Sequence, residues 1–461
     1  MTVADATPDF EKLDRSDRAF LGHPTGLGYL GFTEACERFS YYSMQTLLVL
    51  YMVNYLLVPG KMEQVVGLKW VQEHIYSGLE GQPLASAIFG TYTALVYLTP
   101  IFGGMIADRF GRNKTLIVGG VLMAIGHFLM AIEPAFILAL IALLLGVGAF
   151  KGNIATQVGA LYGPNDLRRA MAFQIFYIFI NVSVIVAPLI SGTLGQNVGW
   201  HYGFGCAGVV MVLGLVIYLA GQKYLPQDDR PVAGAPKAER EKLTKDDWLC
   251  VVYLLILIPV LAISLLTNQE IFNAYLIWGD QQFDLTLLAN TSSWLITLDA
   301  ALSFSMLVAV AAFWKWWSLH RSEPDEISKM ILGSVFTVAG GLCLFMAAFT
   351  QPEGGKISLF WPVMFHLLNS IGFAHVLPVS LALFSKISPK QITATVIGLY
   401  YLAFFAANAV VGYVGGLYSS LPTTTFWLIH VASAAFGLVA FVVFKMVIGH
   451  RMQGTPTTAV A

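Results

Sequence analysis

The chain has 461 residues, of which 57% are hydrophobic, 13% aromatic and only 11% charged, and its mean hydropathy is +0.69. Soluble domains carry about 25% charge and about 45–50% apolar residues, so this composition excludes a water-soluble enzyme of ordinary surface and describes a membrane protein. The 26 lysines and arginines nearly cancel the 27 acids, leaving a formal net charge of -1 and no general electrostatic case for nucleic acid. The four cysteines (Cys36, Cys206, Cys250, Cys343) lie inside apolar runs, and neither C-x-x-C nor H-E-x-x-H occurs, so no disulfide framework and no metal site are expected.

The first 22 residues are polar and charged and do not read as a signal peptide, which places the amino terminus in the cytosol by expectation. A spanning helix needs roughly 20 mainly apolar residues. Twelve such runs follow, near 28–57, 84–107, 115–132, 135–156, 170–195, 201–223, 248–278, 292–317, 328–350, 357–385, 391–419 and 423–448. With both ends inside, 21 of the 26 cations fall in cytosolic loops, while only Lys61, Lys69 and Lys356 fall outside and Arg38 and Lys151 within spans. The polar stretch from Lys223 to Asp247, with three prolines, reads as a linker between two halves. The expected organisation is a cytosolic segment 1–27, a six-helix bundle 28–223, a linker 224–247, a second six-helix bundle 248–448 and a cytosolic tail 449–461. Interior prolines (Pro100, Pro188, Pro259, Pro378) fit helices that bend around a cavity or simply shape packing.

Three classes of function fit twelve spans: a transporter, a membrane enzyme and a structural or receptor-like bundle. An enzyme needs a catalytic cluster at one depth, and the span histidines (His127, His366, His375, His430) show no partner spacing, so no enzyme is expected. A structural bundle should not keep charges in hydrocarbon, where each costs at least about 2.5–3.5 kcal/mol. This chain keeps Glu34, Glu37, Arg38, Lys151, Glu270 and Asp299 there.

The run Gly104-Met105-Ile106-Ala107-Asp108-Arg109-Phe110-Gly111-Arg112-Asn113-Lys114 resembles the G-x-x-x-D-R-x-G-R-x-K signature of the major facilitator superfamily. An acid that closes one helix and a basic turn that opens the next can form a latch of Asp108, Arg109 and Arg112, with Gly111 permitting the turn. In the first span, Glu34-Ala35-Cys36-Glu37-Arg38-Phe39-Ser40-Tyr41-Tyr42 is similar to the E-x-x-E-R-F-x-Y-Y motif of the proton-dependent oligopeptide transporter family. Helical spacing puts both acids and the guanidinium near one face, able to hold a proton or a substrate carboxylate and to trade one for the other. Gly148-Ala149-Phe150-Lys151-Gly152-Asn153-Ile154 resembles the family's G-x-F-K-x-N-I stretch, and Phe176-Tyr177-Ile178-Phe179-Ile180-Asn181 its F-Y-x-x-I-N signature.

The resemblance implies an all-α membrane protein of two six-helix halves that imports di- and tripeptides with protons by alternating access. It needs no cofactor beyond the proton gradient and is expected as a monomer in a bacterial cell membrane, with peptide, protons and the lipid bilayer as partners. By the same resemblance Arg38 and Lys151 bind the peptide carboxylate, and Tyr41, Tyr42, Tyr97 and Asn181 line the pocket. Glu270 and Asn273 complete the substrate set from the second half, and Glu34, Glu37, Arg38, Glu270 and Asp299 carry proton coupling.

The second half departs from the family pattern. The usual acid of span seven aligns with Gln269, one place before Glu270, which is about 100 degrees of helix rotation. In span ten Phe373 stands where a glutamate is expected to hold a peptide amino group, and Gln45 stands where an arginine is common. Asp299 has no cation beside it in sequence, so it calls for a cationic ligand or a proton. Two cations against four acids leave two negative charges to be balanced by protons or by a substrate amino group. The departure at Phe373 keeps open a different small substrate: a modified peptide, an amino-acid derivative or an anion.

Overall fold

The computed structural model describes residues 17–163, 166–226, 243–389 and 391–453, so most of the expected amino-terminal segment, linker and tail lie outside the described residues. In chain order the helices are α1 Thr25–Tyr51, α2 Leu68–His74, α3 Gly81–Phe110, α4 Arg112–Leu129, α5 Phe136–Ala160, α6 Arg168–Ala187, α7 Trp200–Gly221 and α8 Lys245–Ser264. They continue as α9 Leu266–Gln269, α10 Ala274–Gln282, α11 Trp294–Ser318, α12 Glu326–Phe349, α13 Phe360–Ile387, α14 Thr393–Tyr400, α15 Leu402–Gly416 and α16 Thr423–Gln453. The described residues contain no β-strand beyond two isolated bridges.

Among the described residues ten helices are long and apolar enough to cross a membrane. Two of the twelve expected runs fall outside that set for a visible reason: α1 carries Glu34, Glu37 and Arg38, and α4 is 18 residues long and opens with Arg112-Asn113-Lys114. Four expected spans depart from a continuous α-helix, the first by passing into a π-helical turn at Met52–Leu56 after α1. After α6, Pro188 has no N–H to continue the ladder, and the chain goes on as π-helical turns through Val198. The seventh is broken between α9 and α10 by a 3-10 turn at Glu270–Phe272 and by Asn273 at φ -122 and ψ -112. The eleventh is broken at Tyr401 between α14 and α15. The short helix α2 lies in what reads as a loop in the sequence.

The chain divides into two compact units, one of Met1–Leu48, Pro59–Lys69 and Leu98–Lys237, the other of Val49–Val58, Trp70–Tyr97 and Ala238–Ala461. In the first unit, α4 and α5 meet at glycines: a Cβ on Gly119 would lie 2.9 Å from the Gly146 carbonyl, and one on Gly146 2.8 Å from the Gly119 carbonyl. Small residues let membrane helices approach closely and gain dispersion contact where no hydrophobic force distinguishes neighbour from lipid. The Gly148 position is equally closed, with Thr99 Cβ of α3 at 2.7 Å, so α5 is held against α3 one turn before Lys151. Val118 and Ile125 of α4, Leu138, Ile141 and Leu145 of α5, and Val209 and Val216 of α7 are exposed, as expected of side chains facing lipid.

The second unit has its core where Leu254, Leu257 and Leu261 of α8 meet Met330, Leu383, Phe384, Tyr400, Ala403, Phe404 and Phe441. The first part of α3 belongs to this unit. Gly90 packs backbone to backbone on Gly412 of α15, Gln82 Nε2 donates to the Gly415 carbonyl at 2.9 Å, and Ser86 Oγ donates to Asn273 Oδ1 at 2.9 Å. Asp325 caps α12 through the Ser328 N–H at 2.8 Å and pairs with Lys445 of α16 at 2.9 Å.

Two expectations follow. Overpacking a closed glycine costs about 1–3 kcal/mol, so Gly148→Val should lower the melting temperature of purified protein, while Gly104→Ala, with open space around its Cβ, should leave it unchanged. Burial acts to raise the Asp325 pKa, but bonds from Lys445 and Ser328 outweigh it and hold the carboxyl below its usual range. A depressed carboxyl pKa gives stability that is present above the unfolded value and lost as pH falls through the folded one. Melting curves between about pH 6 and pH 3 should therefore show an acid loss that Asp325→Asn reduces, by about 1 kcal/mol or less because the pair is partly exposed.

Candidate functional site

In the first unit the E-x-x-E-R-F-x-Y-Y residues lie on one continuous helix, α1. Arg38 Nε sits 2.7 Å from Glu34 Oε1, one turn back, and 2.8 Å from Glu37 Oε2. All three residues are buried, at 2%, 0% and 5% exposure for Glu34, Glu37 and Arg38, so each charge depends on the others in place of water. Lys151 of α5 is half-buried and feels both carboxylates. The Tyr41 ring joins the two cations: Arg38 Cζ and Lys151 Nζ each lie 5.8 Å from its centroid. Tyr42 meets Tyr41 edge-on at 5.2 Å.

This cluster holds two positive and two negative charges. Adding a proton to either acid leaves it net positive and frees part of the guanidinium fork, which matches an incoming carboxylate in a bidentate manner. Neutralising the acids and binding an anion are therefore favourable together.

Other expected pocket residues are placed differently. Asn181 Nδ2 donates to the Tyr177 carbonyl one turn back in α6, at 2.8 Å, so it is tied to its own helix rather than to Arg38 or Lys151. Tyr97 falls in the second unit, where its ring stacks on Phe404 at 5.0 Å and 22°. In the D-R-x-G-R run, Gly111 takes φ +96 as α3 turns into α4, and Asp108 Oδ1 lies 3.7 Å from Arg112 Nη2. Both partners are well exposed, at 72% and 44%, so this ion pair contributes about 0–1 kcal/mol. Arg109 lies over the Phe110 ring at 5.4 Å.

In the second unit the helix break puts Glu270 at the head of α10. Its Oε1 accepts from the Ala274 N–H at 3.1 Å and from Asn273 Nδ2 at 3.1 Å, and His430 Nε2 of α16 lies 3.4 Å from Oε2. A carboxylate suits the positive end of a restarting helix. The one-residue offset is resolved by the two side chains taking different partners: Gln269 Oε1 accepts from Asn408 Nδ2 of α15 at 3.1 Å, while Glu270 reaches α16. Glu270 and Asn273 are both fully buried, and Asn273 Nδ2 also donates to the Val411 carbonyl at 3.2 Å. The polar atoms of these two residues are engaged with partners inside the unit.

The fold brings span histidines to both buried acids of this unit. Asp299 has a partner, His366 Nδ1 at 2.9 Å, and the other ring nitrogen of His366 lies 2.7 Å from the Tyr275 hydroxyl. Both span histidines that face acids do so across more than 60 residues of sequence, and no local spacing could have disclosed them. The only hint available in the sequence is numerical: two acids without a cation, and histidines in the same apolar background. Phe373 packs on the apolar cluster of the second unit and lines a cavity of about 10 Å³ with Leu265, Val376 and Ala434 and with the hydroxyls and amides of Ser264, Asn268, Ser334, Thr337 and Asn369, so among the described residues this lining holds no carboxylate where a glutamate is usual.

Residues 39–412 match the family described as the Major Facilitator Superfamily. The chain is 30% identical to the uncharacterised transporter YclF of Bacillus subtilis (strain 168), over 92% of this chain and 94% of that protein. It is 26% identical to a di-/tripeptide transporter of Lactococcus lactis subsp. cremoris, over 95% of this chain and 98% of that one. The crystal structure of a peptide transporter POT in complex with sulfate superposes with a TM-score of 0.82 at 25% identity, covering 97% of this chain and 99% of the other. Matched along nearly its whole length, and carrying the first-span motif as a buried charge cluster, the chain belongs to the proton-dependent oligopeptide transporter family of the major facilitator superfamily, as a multi-span membrane carrier rather than an enzyme.

Proposed function

We propose that this protein is a proton-coupled symporter that imports di- and tripeptides by alternating access. The observation that carries this reading is the buried cluster of Glu34, Glu37 and Arg38 with Lys151 across the Tyr41 ring. The relatives named for di- and tripeptides supply the substrate class. Arg38 and Lys151 receive the peptide carboxylate, with Tyr41 and Tyr42 as the apolar wall beside it. A proton on Glu37 or Glu34 weakens the hold on Arg38 and makes that exchange favourable; loss of the proton on the inner side restores the ion pairs and expels the peptide. Glu270, held by His430, is a proton site in the second unit, and the Asp108–Arg112 pair acts as a weak latch.

Proteoliposomes given an inward proton gradient should accumulate a labelled dipeptide, and collapse of the gradient with a protonophore should abolish accumulation. Lys151→Ala removes a charge-assisted contact worth about 1.5–3 kcal/mol, so peptide affinity should fall about tenfold to a hundredfold. Absence of both uptake and binding across a broad peptide panel would defeat the peptide assignment.

One observation favours a second reading of the substrate's other end. With Phe373 beside neutral hydroxyls and amides, a free ammonium has no carboxylate waiting for it there, so a peptide with a modified amino end is an alternative substrate. Competition by amino-acetylated and free dipeptides measures this directly. Comparable inhibition supports the modified-end reading, and a loss of more than about a hundredfold on acetylation, the size of a buried charge contact, supports the free peptide.

A further inference from the structure

We propose that Asp299, His366 and Tyr275 form a second proton-binding site in the second unit, separate from Glu270, so that each transport cycle carries one more proton than the Glu270 and first-unit acids alone provide. The proposal rests on the proton-symport reading above and adds to it the identity of a carrier group.

Three helices meet at this point: α11 supplies Asp299, α13 His366 and α10 Tyr275. His366 and Tyr275 are fully buried, and Asp299 is 9% exposed. His366 uses both ring nitrogens, Nδ1 at 2.9 Å from Asp299 Oδ1 and Nε2 at 2.7 Å from the Tyr275 hydroxyl. With Asp299 ionised and His366 neutral, Nδ1–H donates to the carboxylate and the tyrosine O–H donates to Nε2, an arrangement inferred from the partners each nitrogen has. That state uses both ring nitrogens of His366 but carries one negative charge, and among the described residues no lysine or arginine lies within 4.0 Å of Asp299 to balance it. Adding one proton to Nε2 makes an imidazolium that donates to both Asp299 and the tyrosine oxygen. The Nε2–Tyr275 bond reverses direction, so the number of bonds within the triad is kept, the tyrosine O–H gives up its acceptor, and the site becomes neutral. A structural hydrogen bond could be made by an amide in place of the acid; an acid paired with an imidazole is a combination able to take up a proton and return it.

Of the charged groups on the helices that supply the triad, Asp280 of α10 accepts from Ser292 and Asn54. On α10 the neighbour is Tyr275 itself, with the Tyr275 and His366 rings edge-on at 5.2 Å. On α11, beyond Asp299, Ser303 bonds Ser370 of α13 at 3.0 Å. On α12, Gly340 packs on Phe365 and Asn369, and the charged residues of that helix, Glu326 and Lys329, stand in its first turn. On α16, Trp427 covers Tyr275, and His430 is turned to Glu270. The residual exposure of Asp299 gives the proton a point of entry.

The test uses the full chain in proteoliposomes and in detergent. The proton-to-dipeptide ratio is read from the membrane potential at which net flux reverses, for the wild type, His366→Gln and Asp299→Asn. The expected result is a ratio lower by one in both variants, with lower accumulation, while peptide counterflow, which moves no net protons, continues. An unchanged ratio in both variants that still perform counterflow overturns the proposal, because a merely structural triad would alter rate and leave stoichiometry alone. Infrared titration of substrate-free wild type between about pH 5 and 9 provides a readout that needs no transport: histidine protonation coupled to an Asp299 carboxylate band, absent in Asp299→Asn, is expected. A wild type with no such band, or one whose band survives Asp299→Asn, refutes the site even if a variant fails to insert. If wild type shows the band but no dipeptide counterflow, the peptide reading fails and the proton site stands.

Discussion

A charge placed in an apolar slab has to be compensated by whatever the protein brings to it, because neither lipid nor a dry interior will solvate it. In the first unit that requirement converges on one guanidinium. Arg38 is held by two carboxylates of its own helix, and this pairing lets α1 carry three buried charges along an otherwise apolar length. The position of Lys151 follows from backbone contact rather than from charge. The closed glycine contact between α3 and α5 brings α5 in, and the Tyr41 ring then lies near both cations. The arrangement is balanced as it stands, and one proton unbalances it in the direction that favours an anionic ligand.

The second unit meets the same requirement with different chemistry. Among the described residues, Glu270 and Asp299 have no lysine or arginine within 4.0 Å and are paired with imidazoles instead, Glu270 with His430 and Asp299 with His366. Imidazole is the one partner whose own charge changes in the physiological range, so these pairs differ in kind from the permanent cations of the first unit. The helix break at Glu270–Asn273 adds a second function to Glu270. Its carboxylate closes the free end of α10, and Asn273 extends the contact to Ser86 at the start of α3. Asn273 thus ties the Glu270 carboxylate to the hold of α3 on this unit.

Membership of the family sets the general plan, and the departures from its pattern are local. Gln269 bonds Asn408 at the usual acid position while the neighbouring Glu270 takes a histidine, and Phe373 stands among neutral groups in place of the glutamate. Among the described residues, the second unit thus pairs its buried carboxylates with histidines and places none in the lining of the cavity at Phe373. That division of labour is why the carboxylate end of the substrate is assigned with residues and the amino end is left to experiment.

Much of the architecture was legible in the residues alone, since helix-length apolar runs and a motif on one helix face are local properties. The spacing of Glu34, Glu37 and Arg38 already implied one charge cluster, because residues three and four apart on a helix meet whatever surrounds them. Hydropathy did not disclose the interruptions at Glu270–Asn273 and Tyr401, because a broken helix in a membrane keeps the same apolar average as a straight one. Nor could it assign Tyr97 to the second unit, a matter of which helix lies alongside. The charge count showed that two acids lacked partners. Only the tertiary structure decided that histidines 67 and 160 residues away supply them, because contact between distant helices is fixed by how they pack and leaves no period in the chain.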